Sequence, residues 1–294
     1  MMFLAFAALF SLVSAALGPS PNVTQVAIDL LDANHILHFL DIIDAFGHIS
    51  VRNPDNPSQF IMSFAIAPAL ANSSSLVTYD VFNATALHLT FDESVTGPDI
   101  PSSFLERFIH SQIYSAFPNV TSVLHTHTLE VLPFAGIGMG LRAQMGPAAA
   151  IGSLGTPIFD IESPSVDLAQ DAPHDFLIRN ADLGDALAGT FIDDSEFVLM
   201  RGHGMALRAP TVRHAVFRAF YAKQSATVQL QSSFLSSGLT HREVLDSRAT
   251  FESDSLLGRA WDLWVQQVDK EGEGLYVNDL RSTGGEDKDD EEDE

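Results

Sequence analysis

The feature that most narrows the folds open to this 294-residue chain is a pair of alternating histidines, Val123-Leu124-His125-Thr126-His127. A third follows about 75 residues later, in Arg201-Gly202-His203-Gly204. A strand has a period of two, so His125 and His127 point to one face of one strand. If the chain returns to set His203 beside them, three neutral imidazole nitrogens converge on a point. Three such ligands are typical of a catalytic divalent-metal site, which keeps a position open for substrate. Each motif alone is weak, since exposed strands carry histidine pairs by chance and a turn histidine between glycines can simply cap backbone groups. The combination points to chemistry.

Around these residues helical and strand patterns alternate. Ile28, Leu31, Ile36, Leu40 and Ile43 recur at helical spacing, which predicts a helix over 24–46 closed by Gly47. Short strands are expected at 48–51, 60–63, 76–82 and 86–91, separated by Asn, Pro and Ser turns. Pro98 and Pro101 introduce a helix over 104–117, and Pro118-Asn119 turns it into the histidine strand. A Gly- and Ala-rich stretch over 134–155 reads as loop and close-packed backbone beside the site. A strand at 157–161, a helix at 178–188, a strand at 197–200 and helices over 212–234, 242–251 and 256–269 complete the pattern. With no Gly-rich phosphate loop, this predicts a single α/β domain over 24–272. On the helix ahead of the histidine strand, Glu106 and His110 are four apart and share a face. A carboxylate there can join a metal or move protons. The plainer alternative is a surface Glu106 paired with Arg107.

Charge excludes two classes of partner. Formal net charge is −23, of which the last nine residues, with eight acids and Lys288, hold −7, leaving −16 for the rest. So acidic a surface repels phosphate backbones and anionic lipid, which argues against nucleic acid and membrane-surface binding. Residues 277–294 are expected to be a disordered acidic tail. With no cysteine, there are no disulfides, thiolate ligands or thiol nucleophiles. Residues 1–16 form an apolar run ending in small residues, which reads as a signal peptide cleaved near Ala15 or Ala16 and predicts secretion. The run is short of the roughly 20 residues of a membrane span. Sequons at Asn22, Asn72, Asn83 and Asn119 agree with an extracellular route and are the candidate glycosylation sites.

Read together, Ala45-Phe46-Gly47-His48-Ile49-Ser50-Val51-Arg52, Glu106-Arg107-Phe108-Ile109-His110, Pro118-Asn119-Val120, His125-Thr126-His127, Arg201-Gly202-His203-Gly204 and Ala215-Val216-Phe217-Arg218-Ala219 resemble the class II aldolase/adducin domain family. The resemblance implies a three-layer α/β/α fold around a mixed, largely antiparallel sheet, in a homotetramer with sites between subunits. It implies one divalent metal per chain on His125, His127 and His203, with zinc first and manganese, cobalt or iron as alternatives. Glu106 matches the family's catalytic acid, and His48, Ser50, Ser63 and His110 are the implied substrate contacts. The chemistry implied is cleavage of a carbon–carbon bond beside a metal-held oxygen, through a metal-stabilised enolate. Sugar-phosphate members carry a Thr-Gly pair where this chain reads Met62-Ser63-Phe64-Ala65-Ile66-Ala67-Pro68-Ala69-Leu70, without glycine or cation. That stretch, Leu105 to His110 and Gly258-Arg259-Ala260-Trp261-Asp262-Leu263-Trp264 look more like the aromatic-acid decarboxylase branch. The expected activity is a decarboxylase or aldolase acting on a small non-phosphorylated hydroxy or aromatic acid. A sugar-phosphate aldolase or epimerase, with Ser102 and Ser103 as phosphate contacts, and a non-catalytic adducin-like binding protein are the alternatives. Near Met145-Gly146 the chain lacks the Tyr or His usual in relatives, and Ser63-Phe64 lacks the basic residue of some decarboxylase-like ones.

Overall fold

The computed structural model describes residues 19–232 and 237–281. The expected signal peptide over 1–16 and the tail past 281 lie outside the described residues. Helix α1 (Pro21–Phe39) opens on the Ser20 hydroxyl, which accepts from the Val23 N–H, and on Pro21, whose fixed φ suits a first turn. Strands β1 (His48–Arg52), β2 (Gln59–Ser63), β3 (Leu76–Asp80), β4 (Ala86–Leu89) and β5 (Asp92–Thr96) form a meander. Helix α2 (Arg107–Ala116) leads into β6 (Ser122–Thr126), then short α3 (Leu132–Gly136) and β7 (Ile158–Phe159). Helix α4 (Ala181–Ala188), β8 (Phe197–Met200) and β9 (Gly204–Ala209) follow, and α5 (Val212–Gln231), α6 (His241–Phe251) and α7 (Asp254–Glu271) close the domain.

The strands form one sheet in the order β5-β4-β3-β2-β1-β6-β9-β8-β7, antiparallel throughout except for the β7–β8 pair. The expected mixed, largely antiparallel sheet with helices on both faces is what the chain builds. Successive side chains of the central strands go to opposite cores, because a strand's side chains alternate. Leu124, Ile61 and Leu199 pack with α1, α5 and α7, whereas Val123, Phe60 and Val198 pack with α2 and α4. Both faces are therefore covered, and the strands read as nearly continuous apolar runs.

Two expectations are corrected. The helix predicted over 24–46 ends at Phe39; Asp41 then takes φ 52°, and the chain turns. Ile42 and Ile43 kept the helical period yet reach the core from this turn. The domain also runs past residue 272 into the expected tail. Tyr276 OH lies 2.9 Å from His38 Nδ1, the Asn278 amide donates to the Ile28 carbonyl at 3.0 Å, and Arg281 pairs with Asp32 at 2.7 Å. Residues 277–281 thus fasten onto α1. Of the sequons, Asn22, Asn83 and Asn119 are exposed and Asn72 is half-buried.

His35, 1% exposed in α1, donates from Nε2 to the Ala71 carbonyl at 3.0 Å. Burial, helped by the Arg281 charge and opposed by that carbonyl, lowers its pKa from 6.5 to about 4. The unfolded chain therefore binds the proton more readily, so the stability that neutral His35 contributes falls as pH drops through 6.5 and is gone below about 4. Between pH 7 and 5 this one residue should cost about 2 kcal/mol. Urea unfolding at both pH values should show His35→Gln losing about 2 kcal/mol less than wild type over that interval. Equal losses would discard the assignment.

Candidate metal centre and cavity

His125 ends β6 as its penultimate residue, and His127 lies just past the strand, so its position comes from the turn as much as from the strand period. β9 pairs with β6, setting Ala206 opposite His125 and Met205 opposite Thr126. That pairing carries the β8–β9 turn, and His203 on it, to the two histidines. Gly204 permits the approach, since a Cβ there would meet the Thr126 carbonyl oxygen at 2.1 Å. Gly202 has φ 71°, the left-handed region that glycine enters freely.

Nε2 of His127 lies 3.1 Å from Nε2 of both His125 and His203. Glu106 Oε2 lies 3.4 Å from Nε2 of both His125 and His203. Glu106 is the residue that caps α2, not a member of its exposed face, and it is 6% exposed. Its other oxygen accepts the Ile178 N–H at 2.9 Å. The alternative pairing with Arg107 does not form, because that guanidinium donates to the Ala84 and Phe104 carbonyls.

The donor set fits a divalent cation. A metal about 2.1 Å from each nitrogen spaces neighbouring ligands by roughly 3.0–3.4 Å, the range seen here. The tautomers agree. His125 Nδ1 lies 3.2 Å from the Met205 carbonyl and His127 Nδ1 lies 3.0 Å from Asp44 Oδ2, so both protons sit on Nδ1. Lone pairs on the Nε2 atoms then face each other, an arrangement that a cation relieves. The buried His203 Nδ1 has no partner among the described residues. Asp44 is placed to orient the His127 imidazole, and it also accepts from the Phe46 and Gly47 N–H groups at 2.9 Å each. It went unrecognised in the sequence, although Asp-x-Phe-Gly before a strand is a turn signal.

Charge follows from burial. Burial raises the pKa of Glu106, and the His125 and His203 rings beside it lower it when they carry a proton on Nε2. Burial also holds His125 and His48 below their ordinary value and His110 down to about 3, so these imidazoles are neutral at pH 7. Four groups of the proper types thus meet within 4.8 Å of one another.

In front of Glu106, His127 and His203 lies a cavity of about 600 Å³. His48, Phe46, Ile66, Phe104, Phe176 and Leu177 contribute to its walls, and among the described residues no lysine or arginine does. Phe176 holds φ 68°, a strained conformation for an aromatic residue, and its ring lies against Gly202. Of the four substrate contacts implied by resemblance, only His48 lines the cavity. Ser50, Ser63 and His110 are buried behind it. Ser103 also lines the cavity, its hydroxyl accepting from Tyr79 OH at 3.0 Å.

Comparison with known proteins agrees with this geometry. Residues 28–230 match the family described as Class II Aldolase and Adducin N-terminal domain. A decarboxylase, tropJ, of Talaromyces stipitatus is 38% identical over 263 residues, spanning 83% of this chain and 93% of its own length. A 3,4-dihydroxyphthalate decarboxylase of Arthrobacter keyseri is 26% identical over 127 residues, 42% of this chain and 46% of that protein. Among solved structures, L-fuculose 1-phosphate aldolase from Glaciozyma antarctica superposes with a TM-score of 0.65 at 16% identity, over 87% of this chain and 93% of that one. That structural likeness concerns the fold alone.

Proposed function

The chain belongs to the class II aldolase and adducin family, and from that premise we propose that it is a metal-dependent decarboxylase of a small, non-phosphorylated hydroxy or aromatic acid. Family membership and the decarboxylases among its relatives support a lyase. The substrate class rests on one observation: the cavity beside the candidate ligands is walled largely by aromatic and aliphatic side chains and, among the described residues, carries no cation to hold a phosphate. The same observation weighs against the sugar-phosphate alternative, and the assembled ligand set weighs against a non-catalytic role.

His125, His127 and His203 would hold the metal, with Glu106 beside it; zinc comes first and manganese, cobalt or iron are compatible alternatives. Such a cation supplies Lewis acidity that draws charge from the bond to be broken. Glu106, held ionised, accepts the proton of the substrate hydroxyl at Oε2 and returns it to the carbon bearing the carboxylate. The carbon–carbon bond then breaks, its electron pair restoring the conjugated oxygen anion as carbon dioxide leaves. One solvent proton regenerates the hydroxyl. Phe104, Phe176 and Leu177 keep the cavity dry, which strengthens each charge interaction within it.

The test is product analysis with 2-hydroxy aromatic acids and aldol substrates, using protein reconstituted with zinc, manganese, cobalt or iron. Carbon dioxide release without aldehyde is expected. Aldehyde without carbon dioxide would replace the proposal with an aldolase.

A further inference from the structure

A line of hydrogen bonds runs away from the cavity through the buried layer between β1 and α2. His48 Nδ1 lies 2.6 Å from His110 Nε2, and His110 Nδ1 lies 2.7 Å from Ser50 Oγ. Ser50 Oγ lies 2.8 Å from Tyr114 OH, which lies 3.4 Å from the Thr121 carbonyl oxygen. The line follows from sequence spacing: two residues on a strand and four on a helix each return to one face, so His48 and Ser50 meet His110 and Tyr114. None of the four is more than 1% exposed.

The line has a direction. A carbonyl can only accept, so Tyr114 donates to Thr121. Tyr114 then accepts from Ser50, whose hydroxyl oxygen accepts from His110 Nδ1–H. A neutral imidazole carries one N–H, so His110 Nε2 is a lone pair and accepts from His48 Nδ1–H. His48 Nε2 is left as a lone pair with no partner among the described residues, on a residue that lines the cavity beside Phe104.

We propose that His48 Nε2 is a fixed hydrogen-bond acceptor that selects the substrate hydroxyl on binding, before its proton passes to Glu106, and that His110, Ser50 and Tyr114 are positioning residues that lock its tautomer. The proposal rests on the hydroxy-acid reading above. A hydroxyl donates to this lone pair, whereas a methoxy or keto oxygen in its place sets lone pair against lone pair. Discrimination arises from that repulsion as well as from the bond. The lock holds because reversing His48 requires reversing every bond in the line.

Two measurements test this on the full chain. In protein labelled with ¹⁵N-histidine, the His48 resonances, assigned by loss in His48→Gln, should show Nδ1 protonated and Nε2 unprotonated. Tyr114→Phe removes the donor at the end of the line, so Ser50 can donate to His110 and the order reverses, moving the His48 proton to Nε2. Ser50→Thr, which keeps the hydroxyl, should leave the spectrum as in wild type. In calorimetry, 2-hydroxybenzoate should bind wild type at least about tenfold tighter than 2-methoxybenzoate, and Tyr114→Phe should erase that preference. A proton on Nε2 in wild type, an unchanged spectrum in Tyr114→Phe, or equal binding of the two acids overturns the proposal. Failure to release carbon dioxide with these results intact would overturn the reaction proposed above and not the acceptor.

Discussion

Glu106→Gln is expected to lower kcat/KM by about a thousandfold, within the range of about 10² to 10⁴ typical for loss of a proton-transferring group. The substitution keeps the shape and the acceptor for the Ile178 N–H, so the fold should hold. It removes the charge that faces His125 and His203 and the ability to take and return a proton. The loss should fall on kcat more than on KM, because proton transfer belongs to the transition state. Metal content by elemental analysis separates a ligand from a proton carrier: metal retained with activity lost assigns Glu106 to proton transfer. Activity within a fewfold of wild type would leave Glu106 a structural carboxylate.

Arg218→Met should produce the largest loss of stability, about 3–5 kcal/mol, the usual cost of stranding a buried charge. Arg218 is 2% exposed and binds both oxygens of Glu252 at 2.7 Å while donating to the Arg208 carbonyl at 2.8 Å. Glu196 joins the same cluster through Arg208 and Arg248. Together they tie α5 and the end of α6 to β8 and β9. With Arg218 gone, the cation left paired with Glu252 among the described residues is Arg248, at 3.4 Å. For a domain of this size the melting temperature should fall by roughly 10 °C. The double variant Arg218→Met/Glu252→Leu should recover much of the loss, since an apolar replacement strands no charge. A double variant no more stable than the single would mean that packing, not the stranded carboxylate, sets the cost.

Most of the site was legible because its pattern is local. His125 and His127 needed only the strand period, and Glu106 lay one helix upstream. What escaped depends on contacts remote in sequence. Strand β9 was missed because Met205, Ala206 and Leu207 are all buried, one core on each face, so no alternation marks them. Arg218 was named only within a family motif, and its burial follows from Glu252, Glu196 and the Arg208 carbonyl on other elements. Ser50 and His110 were read as touching substrate. Their polar atoms turn instead to each other and to Tyr114. The end of α1 was overrun because apolar period alone cannot tell a helix from a turn that also faces the core.

The four candidate ligands come from the start of α2, the end of β6 and the β8–β9 turn, and they meet only once β6 and β9 have paired across some 80 residues of sequence. Contacts so far apart form late, after the entropy of closing a long loop has been overcome. A cation or substrate held there has nothing to grip in the early collapsed chain. It therefore leaves the refolding rate nearly unchanged and acts on the return journey, slowing the escape from the native state. Loading the site should lengthen the life of each folded molecule without hastening its birth.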